Sequence, residues 1–250
     1  FVCGPTGSGK TTTLHSILGS INTPDTKIWT AEDPVEITQK GLRQVQVNRK
    51  AGLDFPTVMR SFLRADPDVI MVGEMRDKET VSIGLEASLT GHLVFSTLHT
   101  NSAPESIVRL LDMGMDPFNF ADALLGVLAQ RLAKRLCSKC KKAYHPEEAE
   151  IRHLLDEYCE DLMQTTAFRE DPERARGQIL DAWRQRYGDS KGRFTLYQPV
   201  GCEHCTGGYK GRLGLHELMI GSDPVKALIQ ERARVASLLA TALEEGMRTL

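Results

Sequence analysis

Phe1-Val2-Cys3-Gly4-Pro5-Thr6-Gly7-Ser8-Gly9-Lys10-Thr11-Thr12-Thr13-Leu14 (residues 1–14) sets three strand-like residues before a glycine-rich run and a helical pattern after it. The run fits G-x-x-x-x-G-K-[ST] at Gly4, Gly9, Lys10 and Thr11. Glycines let successive backbone amides turn toward one anion, and a helix opening near Lys10 adds its positive end. The expected contacts of a nucleotide polyphosphate are Gly4, Pro5, Thr6, Gly7, Ser8, Gly9, Lys10, Thr11 and Thr12. Lys10 would bridge the β and γ phosphates, and the Thr11 hydroxyl would meet Mg²⁺. A glycine-rich turn matching by chance is the competing reading, and the strand before and helix after argue against it.

Working outward, short apolar runs alternate with helix-length segments. Residues 27–30, 43–47, 68–73 and 92–98 read as strands; 10–19, 55–64, 77–88 and 102–112 have helical spacing, the last opened by Ser102 and Pro104. Strands separated by helices predict an α/β sheet with crossover connections. Residues 118–136 read as a further helix, apolar and then basic. Residues 147–190 are charged and amphipathic, a helical surface insertion, and 223–247 are again helical. The expected organisation is a core over 1–130, a cysteine-containing subdomain over 131–222 carrying an insertion at about 147–195, and a C-terminal helical segment over 223–250. Both ends read as cut, as in an internal piece of a longer protein.

Composition excludes several classes. Of 250 residues, 41% are hydrophobic and 26% charged, with a net charge of −2, as in a soluble globular chain with no global pull toward nucleic acid or anionic membrane. No apolar run reaches the ~18 residues of a spanning helix. Four of six cysteines form two C-x-x-C pairs, a metal-site pattern of a reducing compartment rather than a disulfide framework.

Hydrolysis needs an acid near the metal and a group that positions water. Glu74 ends the apolar run Asp68–Gly73, at the strand tip where α/β sheets place their chemistry, and is the expected Mg²⁺-side acid. Thr30-Ala31-Glu32-Asp33-Pro34-Val35-Glu36 offers three more carboxylates, with a surface turn at Asp33-Pro34 as the plain alternative. His92 and His99 flank a strand, and Arg60, Arg64 and Arg76 lie near the acidic tip; alone, these five read more readily as structural histidines and as surface charges or salt-bridge partners than as catalysts.

The ordered set GPTGSGKTTT, TAEDPVE, RQVQVN, AGLDF, LRADPDVIMVGEMRD and TGHLVFSTLHTNSA resembles the type II secretion and type IV pilus assembly ATPase family. The resemblance covers most of residues 1–136 and resumes at GCEHC, GYKGRLGLHELM and EEGMRTL. It implies a RecA-like P-loop NTPase core with a mostly helical, zinc-binding C-terminal subdomain. The family's acidic box maps onto Glu32, Asp33 and Glu36, its second nucleotide motif onto Glu74, and its histidine box onto His92 and His99. By resemblance Glu32 or Glu36 is the base, and Arg60, Arg64 and Arg76 steady phosphate charge, some across a subunit boundary. ATP, Mg²⁺ and Zn²⁺ are the implied cofactors. A homohexamer at the cytoplasmic face of the inner membrane is the implied assembly. A membrane platform protein and a cytoplasmic docking protein are the implied partners, with peripheral membrane contact and no nucleic acid. A DNA-transfer or helicase-like motor and a non-hydrolysing switch are the competing classes.

Cys137-Ser138-Lys139-Cys140 and Cys202-Glu203-His204-Cys205 can give Zn²⁺ four thiolates. The 61 residues between Cys140 and Cys202 are more than a compact ribbon needs, although lengthening a loop costs little entropy. Cys3 and Cys159 read as ordinary buried thiols. Within the family, a tetracysteine element resembles the secretion and pilus-extension branch rather than the retraction branch.

Overall fold

Val69–Val72 is buried at every position, which places it in the middle of a sheet covered on both faces. The computed structural model describes residues 1–250. In chain order its elements are β1 (Val2–Cys3), α1 (Lys10–Ile21), β2 (Ile28–Glu32), β3 (Arg43–Gln46), α2 (Phe55–Phe62), β4 (Val69–Val72), α3 (Lys78–Leu89), β5 (Leu93–Leu98), α4 (Ala103–Asp112) and α5 (Pro117–Ala123). There follow β6 (Gly126–Leu136), β7 (Lys142–Tyr144), α6 (Glu148–Glu160), α7 (Thr166–Glu170), α8 (Pro172–Tyr187), β8 (Leu196–Gln198), β9 (Tyr209–Ile220), α9 (Asp223–Gln230) and α10 (Val235–Glu244). Two compact units result, one of Phe1–Arg131, Leu215–Ala242 and Met247–Leu250, the other of Leu132–Gly214 and Leu243–Gly246.

The first unit is an α/β layer around a sheet ordered β3-β2-β4-β5-β1-β6-β9. The pairs β2–β3, β2–β4, β4–β5, β1–β5 and β1–β6 are all parallel, with Ala31 beside Val72, Val72 beside Ser96 and Cys3 beside Leu98. Four strands therefore end at one carboxyl edge, delivering Gly4, Asp33, Gly73 and His99 to the same side of the sheet. Helix α1 buries Leu14 and Leu18 against Val2, Ile28, Val69 and Met71. The helices begin where their caps dictate. Asp54, Asp77, Ser102 and Asp116 accept from the amides of Thr57, Thr80, Glu105 and Asn119 to open α2, α3, α4 and α5.

The helix expected over residues 118–136 is corrected. Helix α5 stops at Ala123, and residues from Gly126 onward form a strand whose Leu128 and Ala129 pair with Val2 and Cys3. Val127 and Ala129 are fully buried there, alternating as in a sheet. A short apolar run has no period that separates helix from strand, so the partner strand decides. The twelve-residue β9 was likewise not expected inside the glycine-rich stretch 192–221.

The second unit answers the long cysteine spacing. Strands β7 and β8 pair antiparallel, Lys142 to Gln198 and Tyr144 to Leu196, and so draw the two ends of the insertion together. Between them α6, α7 and α8 close over their own small core of Leu155, Cys159, Phe168 and Ala175, flanked by Tyr158 and Trp183.

Candidate functional site

The phosphate loop is shaped by glycines. Gly4 has φ 148°, and a Cβ there would stand 2.3 Å from the Gln130 carbonyl oxygen, so no other residue fits. Gly9, at φ 90°, opens α1 with no side-chain cap, unlike α2 to α5, and no acidic residue lies in its first turn. The first amides of α1 are thus left for an anion. Lys10 Nζ donates to the carbonyls of Gly4 (2.8 Å) and Pro5 (3.1 Å), so its charge lies across the loop mouth. Burial lowers the Lys10 pKa, opposed by the Cys3 and Glu74 charges. Ser8 Oγ is buried without a partner. An uncapped helix end, a caged ammonium and an orphaned hydroxyl together fit a polyphosphate.

A residue 122 positions away braces this loop. Gln130 Nε2 donates to the Ser8 carbonyl at 2.6 Å, while Gln130 Oε1 accepts from Thr13 Oγ1 at 2.7 Å. One amide on β6 therefore ties the loop to the helix it feeds. Nothing local in the sequence marks Gln130 for this, because its role exists only once β6 lies beside β1.

Glu74 sits on the turn after β4, its side chain 14% exposed. Its Oε2 receives Arg76 Nη2 at 2.6 Å and faces His99 Nε2 at 3.7 Å. The turn is fixed from β5, where Thr97 Oγ1 donates to the Gly73 carbonyl and the Thr97 carbonyl accepts from the Met75 amide. Glu217 on β9, fully buried, accepts from the Ala103 amide at 2.6 Å and so fixes the start of α4, just past His99. Glu74, Arg76 and His99 are gathered beside the loop edge as a carboxylate with two cationic or ionisable partners.

The acidic box divides. Glu32 is buried, and both its oxygens are engaged, Oε1 by Thr30 Oγ1 and Gln44 Nε2 and Oε2 by His15 Nε2. Asp33 is exposed and faces Arg49 Nη2 at 3.5 Å, and Glu36 is exposed. His92 is not brought to the site. It precedes β5, its Nδ1 against the Ala87 carbonyl and Thr90 Oγ1, whereas His99 follows the same strand. Six strand residues at ~3.3 Å each put them roughly 20 Å apart. Arg60 is paired with Glu79, and Arg64 stands exposed just past α2. A separate apolar cavity of about 800 Å³, lined by Leu85, Leu89, Phe95, Leu125 and Ile220, lies toward the starts of β1 and β5. Its walls offer hydrocarbon rather than phosphate donors.

The four cysteines converge in the second unit. All four Sγ atoms lie within 4.8 Å of one another. Cys137–Cys202 is 3.9 Å, and Cys140–Cys205 and Cys202–Cys205 are both 3.6 Å. A tetrahedron of Zn–S bonds near 2.3 Å has edges of about 3.8 Å, whereas a disulfide needs about 2.05 Å. Each knuckle is a tight turn, Lys141 N to Cys137 O and Cys205 N to Cys202 O, and the Cys137 amide donates to the Gly208 carbonyl. Burial pushes the Cys140 thiol up to about 11. For Cys205 the same upward push of burial is outweighed by hydrogen bonds from the Cys202 backbone and from Cys140, bringing it down to about 7. The donor set and its dimensions fit Zn²⁺.

A family model described as type II/IV secretion system protein matches residues 1–250. The chain belongs to that family. This family member is 44% identical over 249 residues to the type IV pilus assembly ATPase PilB of Pseudomonas aeruginosa, covering 100% of this chain and 39% of that protein. It is also 44% identical over 229 residues to type II secretion system protein E of Dickeya dadantii, covering 91% of this chain and 39% of that protein. The chain thus spans about two fifths of the length of these curated relatives. Among solved structures it resembles the pilus retraction motor PilT with bound ADP, at 27% identity and a TM-score of 0.59, over 100% of this chain and 58% of that one. The RecA-like reading of the core accords with that likeness, and no helix is long and apolar enough to cross a membrane.

Proposed function

We propose that this chain is the catalytic part of an ATP-hydrolysing motor that powers assembly of a pseudopilus or type IV pilus. The observation that carries the reading is the carboxyl edge of the parallel sheet, where the uncapped phosphate loop, Glu74 and His99 meet. The family relatives named as assembly ATPase and secretion protein support it. Lys10 and the amides of residues 7–11 hold the phosphates; Thr11 and Glu74 are the residues that would hold Mg²⁺, which neutralises charge on the departing phosphate. Glu74 is oriented by Arg76 and His99. Arg60 and Arg76 are each paired within the chain, so either must release its carboxylate before reaching a neighbouring subunit, while Arg64 needs no such release. Cys137, Cys140, Cys202 and Cys205 hold structural Zn²⁺. The working assembly is a homohexamer at the cytoplasmic face of the inner membrane, engaging a platform protein and a docking protein there.

The test is stimulation of ATP turnover by the full-length protein. Vesicles carrying the cytoplasmic portion of the membrane platform should raise kcat, and single-stranded DNA should leave it unchanged. Stimulation by DNA alone would move the chain to the nucleic-acid motors.

A further inference from the structure

Glu32 closes β2 at the carboxyl edge yet is withdrawn from solvent, its side chain 4% exposed and that of its partner His15 3%. His15 lies on α1, five residues after Lys10, on the buried face with Leu14 and Leu18. Its ring meets two groups: Nδ1 is 3.1 Å from Gln39 Oε1, and Nε2 is 3.1 Å from Glu32 Oε2. The Gln39 amide cannot be reversed, because its Nε2 donates to the His15 carbonyl at 3.1 Å. Gln39 Oε1 is therefore an acceptor, and His15 Nδ1 must carry a proton toward it.

With Nδ1 committed, the second contact has one arrangement that does not set two lone pairs face to face: a proton lies between Nε2 and Oε2. Gln44 is likewise fixed, since its Oε1 accepts from the Gln39 backbone N–H and its Nε2 donates to the Ile37 carbonyl and to Glu32 Oε1. Thr30 Oγ1 donates to the same Oε1 at 2.6 Å. Two donors on Oε1 stabilise the anion, so the proton belongs to the imidazole and the pair is a charge-assisted bond. Thr30, Gln39 and Gln44 are neutral. On α1 the nearest charge, Lys10, is turned toward the loop carbonyls, and Asp33 points to Arg49.

We propose that His15 is a positioning residue for ATP hydrolysis, clamping the acidic strand end to the phosphate-loop helix through this shared proton. The clamp reaches the metal side as well. The Gly73 amide donates to the Ala31 carbonyl at 2.7 Å, so the end of β2 that His15 secures also supports the turn carrying Glu74. Glu32 then serves as an anchor rather than a free base, and of the two candidate bases exposed Glu36 is the one able to meet water. The proposal rests on the reading of the chain as an ATPase.

Two measurements on the full-length protein separate the two claims. In saturating ATP, His15→Ala should lower kcat at least about tenfold with KM for ATP nearly unchanged. His15→Gln, whose amide can still donate to Glu32, should recover most of the rate. Wild-type kcat in His15→Ala, or a Gln variant no better than Ala, would overturn the clamp. Solid-state ¹⁵N NMR of labelled histidine should show His15 with both ring nitrogens protonated in the parent and one in Glu32→Gln. A singly protonated ring in the parent would also overturn the clamp. Absence of turnover in the parent would instead refute the ATPase reading, while the NMR result still decides the proton.

Discussion

Glu74→Gln in the full-length protein should lower kcat by at least about 100-fold while ATP still binds within a few-fold of the parent affinity. The substitution keeps shape and removes charge at the point where the β4 turn, Arg76 and His99 converge. On the proposed reading nucleotide affinity resides elsewhere, in Lys10 and the uncapped α1 amides, so binding and turnover should separate. Stability should hardly change. Arg76 is 63% exposed, and the loss of such a solvent-facing pair amounts to less than about 1 kcal/mol. Steady-state kinetics, a fluorescent-nucleotide titration and a melting curve check the three parts. Loss of binding together with turnover would assign Glu74 to the fold of the loop instead of to the metal.

Cys137→Ser with Cys202→Ser should remove one zinc per chain and unfold the second unit before the first. The reason is the size of the core available to that unit. Its helical insertion centres on four buried residues, Leu155, Cys159, Phe168 and Ala175. A closed four-thiolate site in comparable small domains supplies about 10–16 kcal/mol of apparent binding energy near neutral pH. Zinc must displace the proton that burial keeps on Cys140, so occupancy should fall as pH is lowered and never as it is raised. Metal analysis and calorimetry read both effects. Metal content well under one per chain in the parent, or unchanged melting in the double variant, would sink the assignment.

What was legible in the sequence was what is local. The loop announces itself because its glycines, Lys10 and Thr11 lie within eight residues and perform one task. Ser102 with Pro104 likewise marks the start of α4, and the cap is there in the structure. Strand β6 was hidden because its identity depends on β1, more than 120 residues earlier. Gln130 was hidden for the same reason. His15 occupies a regular buried position of a helix, and nothing adjacent says that Glu32, 17 residues on, will meet it. His92 and His99 looked alike in one motif, but a strand six residues long carries them to opposite edges of the sheet. The insertion between the cysteine pairs looked anomalous until the β7–β8 pairing brought its ends together.

The most direct measurement is ATP turnover by the purified full-length protein with and without Lys10→Ala. Lys10 is the one side chain whose charge spans the loop mouth, so the account expects Mg²⁺-dependent hydrolysis in the parent and a loss of at least about 100-fold in the variant. Equal turnover in the two proteins would contradict it, because the hydrolysis would then belong to a site other than the loop at Gly4–Thr11.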